Sequence, residues 1–227
     1  MLQKENFKGI IFDMDGTLVN TLEEIGLTVN EVLSLQGLPT HELENYRFFI
    51  GRGIHHLMSS ALPQDLRTPE ILEECLANLQ TIYPSYINKY SALYPGVEKL
   101  LDLLVEKEIK MAILTNKSHH LAQLCYSAYL KSWDMELLGY NPQNPAKPDP
   151  QGAFILAEKL SVKPRQCFFV GDSDVDILTA RNAGMRSIGA LWGFQNEEKL
   201  KEAGADFIFN NALELHDFLQ HQLEVVN

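Results

Sequence analysis

Short, continuous apolar runs recur along the chain, and longer segments with helical periodicity separate them. Five runs are predicted strands: residues 9–12, 111–114, 167–170, 187–191 and 207–209. All but the last are continuous rather than alternating, which is typical of parallel strands buried on both faces. Predicted helices follow at residues 97–106, 118–130, 151–160, 175–183 and 197–203. This alternation predicts an α/β fold with a doubly wound parallel sheet, a Rossmann-like core.

One segment interrupts the alternation of strands and helices. Between about residues 22 and 90 we find no strand pattern, whereas capping and stop signals predict helices at residues 22–35, 43–49, 54–62 and 71–83. The α/β pattern resumes at the turn-rich Tyr94-Pro95-Gly96. We therefore predict a core formed by residues 1–18 and 92–227 and an all-helical cap formed by residues 19–91.

Composition narrows the classes of function. The 227-residue chain carries 30 acidic and 19 basic residues, a net charge of −11, which argues against a nucleic-acid surface. No apolar run approaches the roughly 20 residues of a membrane helix, and the N-terminal residues lack a signal-peptide pattern. Cys75, Cys125 and Cys167 lie far apart and form no Cys-x-x-Cys pair. We expect a cytoplasmic protein, monomer or homodimer, that binds neither nucleic acid nor membrane.

Polar residues follow the predicted strands where each strand ends. Asp13 and Asp15 follow the first strand, the segment Thr115-Asn116-Lys117-Ser118 follows the second, and Asp172 and Asp176 follow the third. Lys147 lies between the last two groups and precedes a predicted helix. Ligands of doubly wound sheets bind outside the carboxyl ends of the strands, so we expect these side chains to converge.

Converging carboxylates need neutralisation, because like charges at short range repel or retain a proton. Three arrangements remain open: a divalent metal site, an acid/base pair that shares protons, or scattered and solvated carboxylates. Mg²⁺ fits the first, since it prefers oxygen ligands and keeps places for water and phosphate. Hydroxyl, amide and ammonium donors suit phosphate oxygens. The set predicts phosphoryl transfer in which one aspartate attacks phosphorus and the other serves as acid and base.

Four motifs carry a resemblance to a known family. The segment Asp13-Met14-Asp15-Gly16-Thr17-Leu18-Val19 resembles the first motif of the haloacid dehalogenase-like hydrolases. Thr115, Lys147 and Gly171-Asp172-Ser173-x-x-Asp176 match the second, third and fourth motifs in order. The helical insert resembles the family's small cap. Within the family the chain is most similar to phosphoglycolate phosphatases, on the segments FIGRGIHHLM, YPGVEKLLDLL, ILTNKS and GALWGFQNEEKLKEAGADFI.

The resemblance implies a role for each matching residue and Mg²⁺ as the cofactor of this protein. Asp13 would be the nucleophile and a metal ligand, and Asp15 the general acid/base whose backbone carbonyl also binds the metal. The other roles would be a further metal ligand from Asp172, support of the metal site from Asp176, phosphoryl binding by Thr115 and Asn116, and charge balance by Lys147. The implied reaction is hydrolysis of a small phosphorylated metabolite, most closely 2-phosphoglycolate. Asn20 departs from the pattern, because relatives commonly have Asp at this position.

The cap contributes one candidate, Arg52. Its neighbours Gly51 and Gly53 permit a tight or flexible loop, from which an arginine fork could grip a substrate carboxylate. The alternative is a solvated surface arginine. Other reactions also stay open at this point: another phosphatase of the family, a pyrophosphatase, or a sugar-phosphate mutase. A non-enzymatic phospho-acceptor switch is disfavoured by the cap and by the Asp-x-Asp-Gly-Thr order.

Overall fold

A computed structural model describes residues 7–87 and 89–224, so the ends of the predicted core and one cap residue, 88, lie outside it. Within this part the strands are β1 (Gly9–Phe12), β2 (Val19–Asn20), β3 (Ala92–Leu93), β4 (Lys110–Ser118), β5 (Glu136–Tyr140), β6 (Cys167–Gly171), β7 (Arg186–Ala190) and β8 (Phe207–Phe209). Six of them form a parallel sheet in the order β5-β4-β1-β6-β7-β8. The predicted doubly wound sheet is confirmed.

The helices of the described residues follow one another in the cap and alternate with the strands from residue 92 onward. They are α1 (Leu22–Leu35), α2 (Ile54–Ala61), α3 (Pro69–Ile82), α4 (Val97–Glu106), α5 (His119–Tyr129), α6 (Gln151–Lys159), α7 (Asp174–Ala183), α8 (Glu197–Ala203) and α9 (Ala212–Glu224). Short 3₁₀ helices span Leu43–Phe48, Gln64–Leu66, Tyr83–Ser85 and Pro164–Gln166. No helix among the described residues has the length and apolar character needed to cross a membrane.

The sheet is buried on both faces, which explains the continuous apolar runs. Ile10 of β1 packs in a cluster with Leu101 of α4 and Leu215 of α9. The next residue, Ile11, points to the opposite face and packs with Leu156 of α6. Because successive strand side chains alternate between faces, a strand covered by helices on both sides is apolar at every position. β1 lies in the interior of the sheet, between β4 and β6, and the residues that follow it lie at the sheet's carboxyl edge.

The helical cap has its own apolar core. Val29, Tyr46, Met58 and Cys75 are fully buried there. The chain leaves and re-enters the sheet domain through the antiparallel pair β2–β3, in which Val19 faces Leu93. The predicted boundaries after residues 18 and 91 lie at this pair, so the two connections between cap and core run side by side.

Besides the two-residue strands β2 and β3 and the short 3₁₀ helices Gln64–Leu66 and Pro164–Gln166, the strand β5 and the helix α9 were not predicted from the sequence. The edge strand β5 has mostly half-buried side chains, because it has a strand neighbour on one side only. The last helix, α9, packs on α4 at the sheet face that holds Ile10.

The strand β4 extends to Ser118, four residues beyond its predicted end, and carries the polar segment of the second motif within it. The segment predicted as a helix at 43–49 is a 3₁₀ helix.

Candidate active site

Asp13 lies immediately after β1, at the centre of the sheet's carboxyl edge. Its carboxylate is buried, with 4% of the residue exposed. The Oδ1 atom accepts a hydrogen bond from the backbone N–H of Met14 at 2.7 Å and lies 2.8 Å from Nζ of Lys147. Burial raises the pKa of Asp13 to about 7, although Lys147 opposes the rise, and the charge of Asp176 adds to it. Without a further cation, this carboxylate is therefore not held firmly in its charged form.

Lys147 is held between two carboxylates. Its Nζ lies 2.7 Å from Oδ1 of Asp176 as well as beside Asp13. Burial alone would lower the pKa of Lys147, but these two carboxylates raise it well above its ordinary value. Asp176 accepts hydrogen bonds at its other oxygen from the backbone N–H and hydroxyl of Ser173. Asp176, in the first turn of α7, thus positions the ammonium group of Lys147 beside Asp13. Its predicted role was to support the metal site from nearby, and this contact is consistent with that role.

Asp172 follows β6 and is tightly enclosed. Its Oδ1 accepts a hydrogen bond from the Thr17 hydroxyl at 3.2 Å, and its Oδ2 accepts one from the backbone N–H of Phe194 at 2.8 Å. Burial raises the pKa of Asp172 well above its ordinary value, and the charges of Asp176 and Asp13 add to the effect. A Cβ added at Gly193 would lie 2.2 Å from the Cβ of Asp172, so only glycine fits beside this carboxylate.

The acidic cluster has the composition of a cation site. Oxygen atoms of Asp13, Asp172 and Asp176 lie within 4.8 Å of one another, and all three residues are buried. Lys147 supplies one positive charge against three carboxylates, which leaves the cluster negative when all are ionised. Hard oxygen donors with excess negative charge suit a divalent cation such as Mg²⁺. The side chain of Asp15 is not part of this cluster, and the metal contact of its backbone carbonyl stays an expectation from the family resemblance.

Asp15 is held by a hydroxyl and a second lysine. Its Oδ1 accepts a hydrogen bond from Thr21 at 2.8 Å, and Nζ of Lys117 lies 3.0 Å from the same oxygen. Lys117 also donates to the hydroxyl of Tyr83, a cap residue that in turn donates to Glu24. Sequence reasoning missed Lys117. The available signal was its position in the second motif, two residues after Thr115.

The two residues predicted to bind phosphoryl oxygens are placed differently. The buried hydroxyl of Thr115 accepts a hydrogen bond from the backbone N–H of Lys117 and faces the same cavity as Asp13. The side-chain amide of Asn116 instead bonds to the backbone N–H and carbonyl of Lys147 and to the carbonyl of Gly51. Asn116 therefore fixes the lysine loop against the cap, and its phosphoryl contact stays a prediction.

Arg52 is not brought into the site. Its Nη2 lies 2.6 Å from Oδ2 of Asp174 on α7, and half of its side chain is exposed. The flanking Gly51 and Gly53 line the cavity, whereas the arginine side chain turns away to the core. Arg47 makes a comparable contact, because its Nε donates to the carbonyl of Phe194 at 3.0 Å. Both arginines fasten the cap onto the core.

A cavity separates the cap from the acidic cluster. It encloses about 580 Å³ of empty space, part of it open to solvent. Its core wall includes Asp13, Asp15, Thr115 and Lys117. Its cap wall is mostly apolar and includes Ile25, Val29, Ile50, Ile54, Leu57 and Leu79. The cap therefore places apolar side chains opposite the carboxylates, and the space between them has room for a small molecule.

The fold and the site together are a doubly wound sheet with aspartates and a lysine at its carboxyl edge, beneath a helical cap. The chain belongs to the haloacid dehalogenase-like hydrolases, because the sequence model of that family matches residues 10–190. The family resemblance expected from the four motifs is thereby confirmed.

Similar proteins narrow the class to phosphatases. A phosphoglycolate phosphatase of Haemophilus influenzae is 33% identical over 94% of this chain and 98% of its own length, and one of Vibrio vulnificus is 28% identical over 95% and 97%. The crystal structure of a predicted phosphoglycolate phosphatase from Haemophilus somnus superposes with a TM-score of 0.85 at 28% identity, covering 95% of this chain and 99% of that one. The chain is therefore a phosphatase that resembles phosphoglycolate phosphatases.

Proposed function

We propose that this protein is a Mg²⁺-dependent phosphatase that hydrolyses 2-phosphoglycolate through an aspartyl-phosphate intermediate. The observation that carries the proposal is the buried contact of Asp13 with Lys147, set at the floor of a capped cavity beside Asp15. The names of the similar proteins support 2-phosphoglycolate as the substrate. The cavity has room for a substrate of that size.

In the first step Asp13 attacks phosphorus. Both contacts described for its carboxylate fall on Oδ1, so Oδ2 is the oxygen that we expect to form the new bond. The bond between phosphorus and the ester oxygen breaks, and its electron pair stays on that oxygen. Asp15 donates a proton to the departing oxygen, which leaves as the hydroxyl of glycolate. Lys147 lies beside the nucleophile and balances the negative charge that gathers there.

In the second step water releases the phosphoryl group. Asp15, now a carboxylate, takes a proton from the water as its oxygen attacks phosphorus. The bond between phosphorus and Asp13 breaks, so inorganic phosphate leaves and the aspartate is restored. Mg²⁺, bound by Asp13, Asp172 and the backbone carbonyl of Asp15, would supply electrostatic stabilisation of the phosphoryl oxygens. We expect Thr115, which lines the same cavity as Asp13, to donate its hydroxyl proton to one of these oxygens.

The test is a panel of phosphorylated substrates with Mg²⁺, read as phosphate released over time. Continuous turnover of 2-phosphoglycolate above that of pyrophosphate and sugar phosphates is expected. A single turnover followed by a stable phosphoprotein would support a phospho-acceptor switch instead. Transfer of phosphate between positions of a sugar without its release would support a mutase. Either result would overturn the proposal.

Asp15→Asn tests the two-step scheme. Asparagine cannot deliver or accept the proton, but an aryl phosphate has a leaving group that departs without one. We expect a burst of aryl alcohol equal to the enzyme concentration, followed by slow release of phosphate, measured by rapid quench. Absence of a burst together with undiminished steady turnover would remove Asp15 from the acid and base role.

A further inference from the structure

The pocket that faces Asp13 and Asp15 holds one lysine of its own. Among the described residues that line this pocket, Lys117 is the only cation. Lys147 lies behind Asp13 and is shared with Asp176, and Arg52 is paired outside with Asp174. An anionic group of a substrate, other than its phosphate, would therefore meet its opposite charge at Lys117.

The ammonium group of Lys117 is fixed in place. Its Nζ lies 3.0 Å from Oδ1 and 3.3 Å from Oδ2 of Asp15, and it donates to the hydroxyl of Tyr83. The ring of Tyr83 lies 4.5 Å away, measured from Nζ to the ring centroid. An ammonium group has three N–H donors, and the described contacts go to two partner residues. A ligand anion in the pocket would replace the longest of the three contacts, the one to Oδ2 of Asp15 at 3.3 Å.

Two cap residues, Tyr83 and Glu24, form a hydrogen-bonded chain with Lys117. Tyr83 donates its hydroxyl proton to Glu24, a fully buried carboxylate on α1. The ammonium of Lys117 lies beside the carboxylate of Asp15, and the hydroxyl of Tyr83 links it to the carboxylate of Glu24. The lysine is therefore a charged group in a largely apolar cavity, where a pairing with an anion is strong because few waters compete.

We propose that Lys117 is a specificity-determining residue that binds a substrate carboxylate attached one methylene away from the ester oxygen. The inference rests on the proposed function, because it takes Asp15 as the proton donor to that oxygen. A proton donor must approach the ester oxygen within hydrogen-bond distance, and Lys117 contacts the same carboxylate. Its ammonium thus lies within two successive hydrogen bonds, roughly 6 Å, of the ester oxygen.

This short reach selects a chemical class of substrate. In an α-phosphooxy carboxylate such as 2-phosphoglycolate, a single carbon separates the ester oxygen from the carboxylate. A longer chain carries its carboxylate past Lys117 toward the apolar cap wall that includes Val29, Ile54 and Leu79. A charge placed there without a partner is strongly disfavoured. The pocket should therefore favour the shortest spacing.

The test compares two substrates of equal length in two variants. Lys117→Gln keeps a donor to Asp15 without the charge, and Lys117→Met keeps the chain length without the donor. We expect kcat/KM for 2-phosphoglycolate to fall about 10- to 100-fold more than for ethyl phosphate, which has a methyl group in place of the carboxylate. Lys201→Met, at a lysine whose side chain is 63% exposed, is the matched control and should change neither substrate.

Equal losses for the two substrates would show that Lys117 acts only by positioning Asp15, and would overturn the inference. Wild-type enzyme gives a second test that does not depend on variants folding. The homologue of 2-phosphoglycolate with one more methylene should have a lower kcat/KM, and an equal or higher value would also contradict the inference. Failure of the proposed function would be distinct, because wild-type enzyme would then not turn over 2-phosphoglycolate at all.

Discussion

Nζ of Lys147 lies 2.8 Å from Oδ1 of Asp13, and neither side chain is appreciably exposed. This contact joins the end of the central strand to the loop before α6. It orients the Asp13 carboxylate and opposes the rise in the Asp13 pKa that burial causes. Because Asp176 also contacts this ammonium, we expect Lys147 to keep its position when Asp13 is neutralised.

Asp13→Asn should therefore abolish turnover while leaving the fold intact. The amide preserves the shape of the side chain but cannot attack phosphorus, so kcat should fall by orders of magnitude. Phosphate release would be measured beside circular dichroism and thermal unfolding. Asp217→Asn, at a carboxylate with 79% exposure, is the matched control and should keep full activity. A folded Asp13→Asn protein with more than about a tenth of wild-type kcat would exclude Asp13 as the nucleophile.

Asp172→Asn should separate metal binding from stability. In chelator, the substitution removes one of three crowded carboxylates, and an asparagine oxygen can still accept from the backbone N–H of Phe194. We expect the metal-free variant to have a Tm equal to or above that of the wild type. Addition of Mg²⁺ should raise the Tm of the wild type and change that of the variant far less, because ligands stabilise the state that binds them. An equal Mg²⁺ response in both proteins would remove Asp172 from the metal site.

The stability of the metal-free protein should fall as pH rises toward neutrality. The pKa of Asp13 is raised from 3.8 to about 7 in the folded protein, so between these values the folded state binds more protons than the unfolded state. Stability then decreases with pH over that window, and the loss is complete above the folded pKa. The Tm in chelator should be lower near pH 8 than near pH 6, and Asp13→Asn should flatten this difference. A wild-type Tm in chelator that rises over this interval would contradict the burial argument.

Much of the core could be predicted because strands buried on both faces are continuous apolar runs in the sequence. Residues 9–12 and 207–209 are strands with the predicted bounds, as are the helices at 97–106 and 197–203. The edge strand β5 escaped prediction because it has a sheet neighbour on one side only, so its side chains are mostly half-buried and the apolar run is weak. The helix α9 was missed although its apolar residues pack against α4.

The site was predictable only as far as its chemistry lies at strand ends. Asp13, Asp172, Asp176 and Lys147 come together at the carboxyl edge of the sheet, as their order along the chain suggested. The position of Lys117 depends on partners from the cap, and no local pattern indicates which cap side chains descend toward Asp15. The hydrogen bonds between the Asn116 amide and the backbone of Lys147 could not be predicted from the sequence either, because they join segments that are distant along the chain.

Arg52 offers a direct choice between the sequence interpretation and the structural one. If the side chain grips a substrate carboxylate, Arg52→Ala should lower kcat/KM for 2-phosphoglycolate and spare ethyl phosphate. The 2.6 Å contact with Asp174 favours a fastening of cap to core, which would affect the two substrates alike. A half-exposed pair contributes about 1 kcal/mol or less, so each loss should be at most several-fold.

A double-mutant cycle distinguishes the two interpretations of Arg52. Asp174→Ala removes the core partner and leaves the arginine free. If the pair fastens the cap, each single variant should lower kcat/KM by a similar factor, and the double variant should add little, because the same contact is lost once. If Arg52 instead serves the substrate, Asp174→Ala should spare activity while Arg52→Ala selectively impairs 2-phosphoglycolate. That second pattern would require the arginine to leave Asp174 and enter the cavity when the substrate binds.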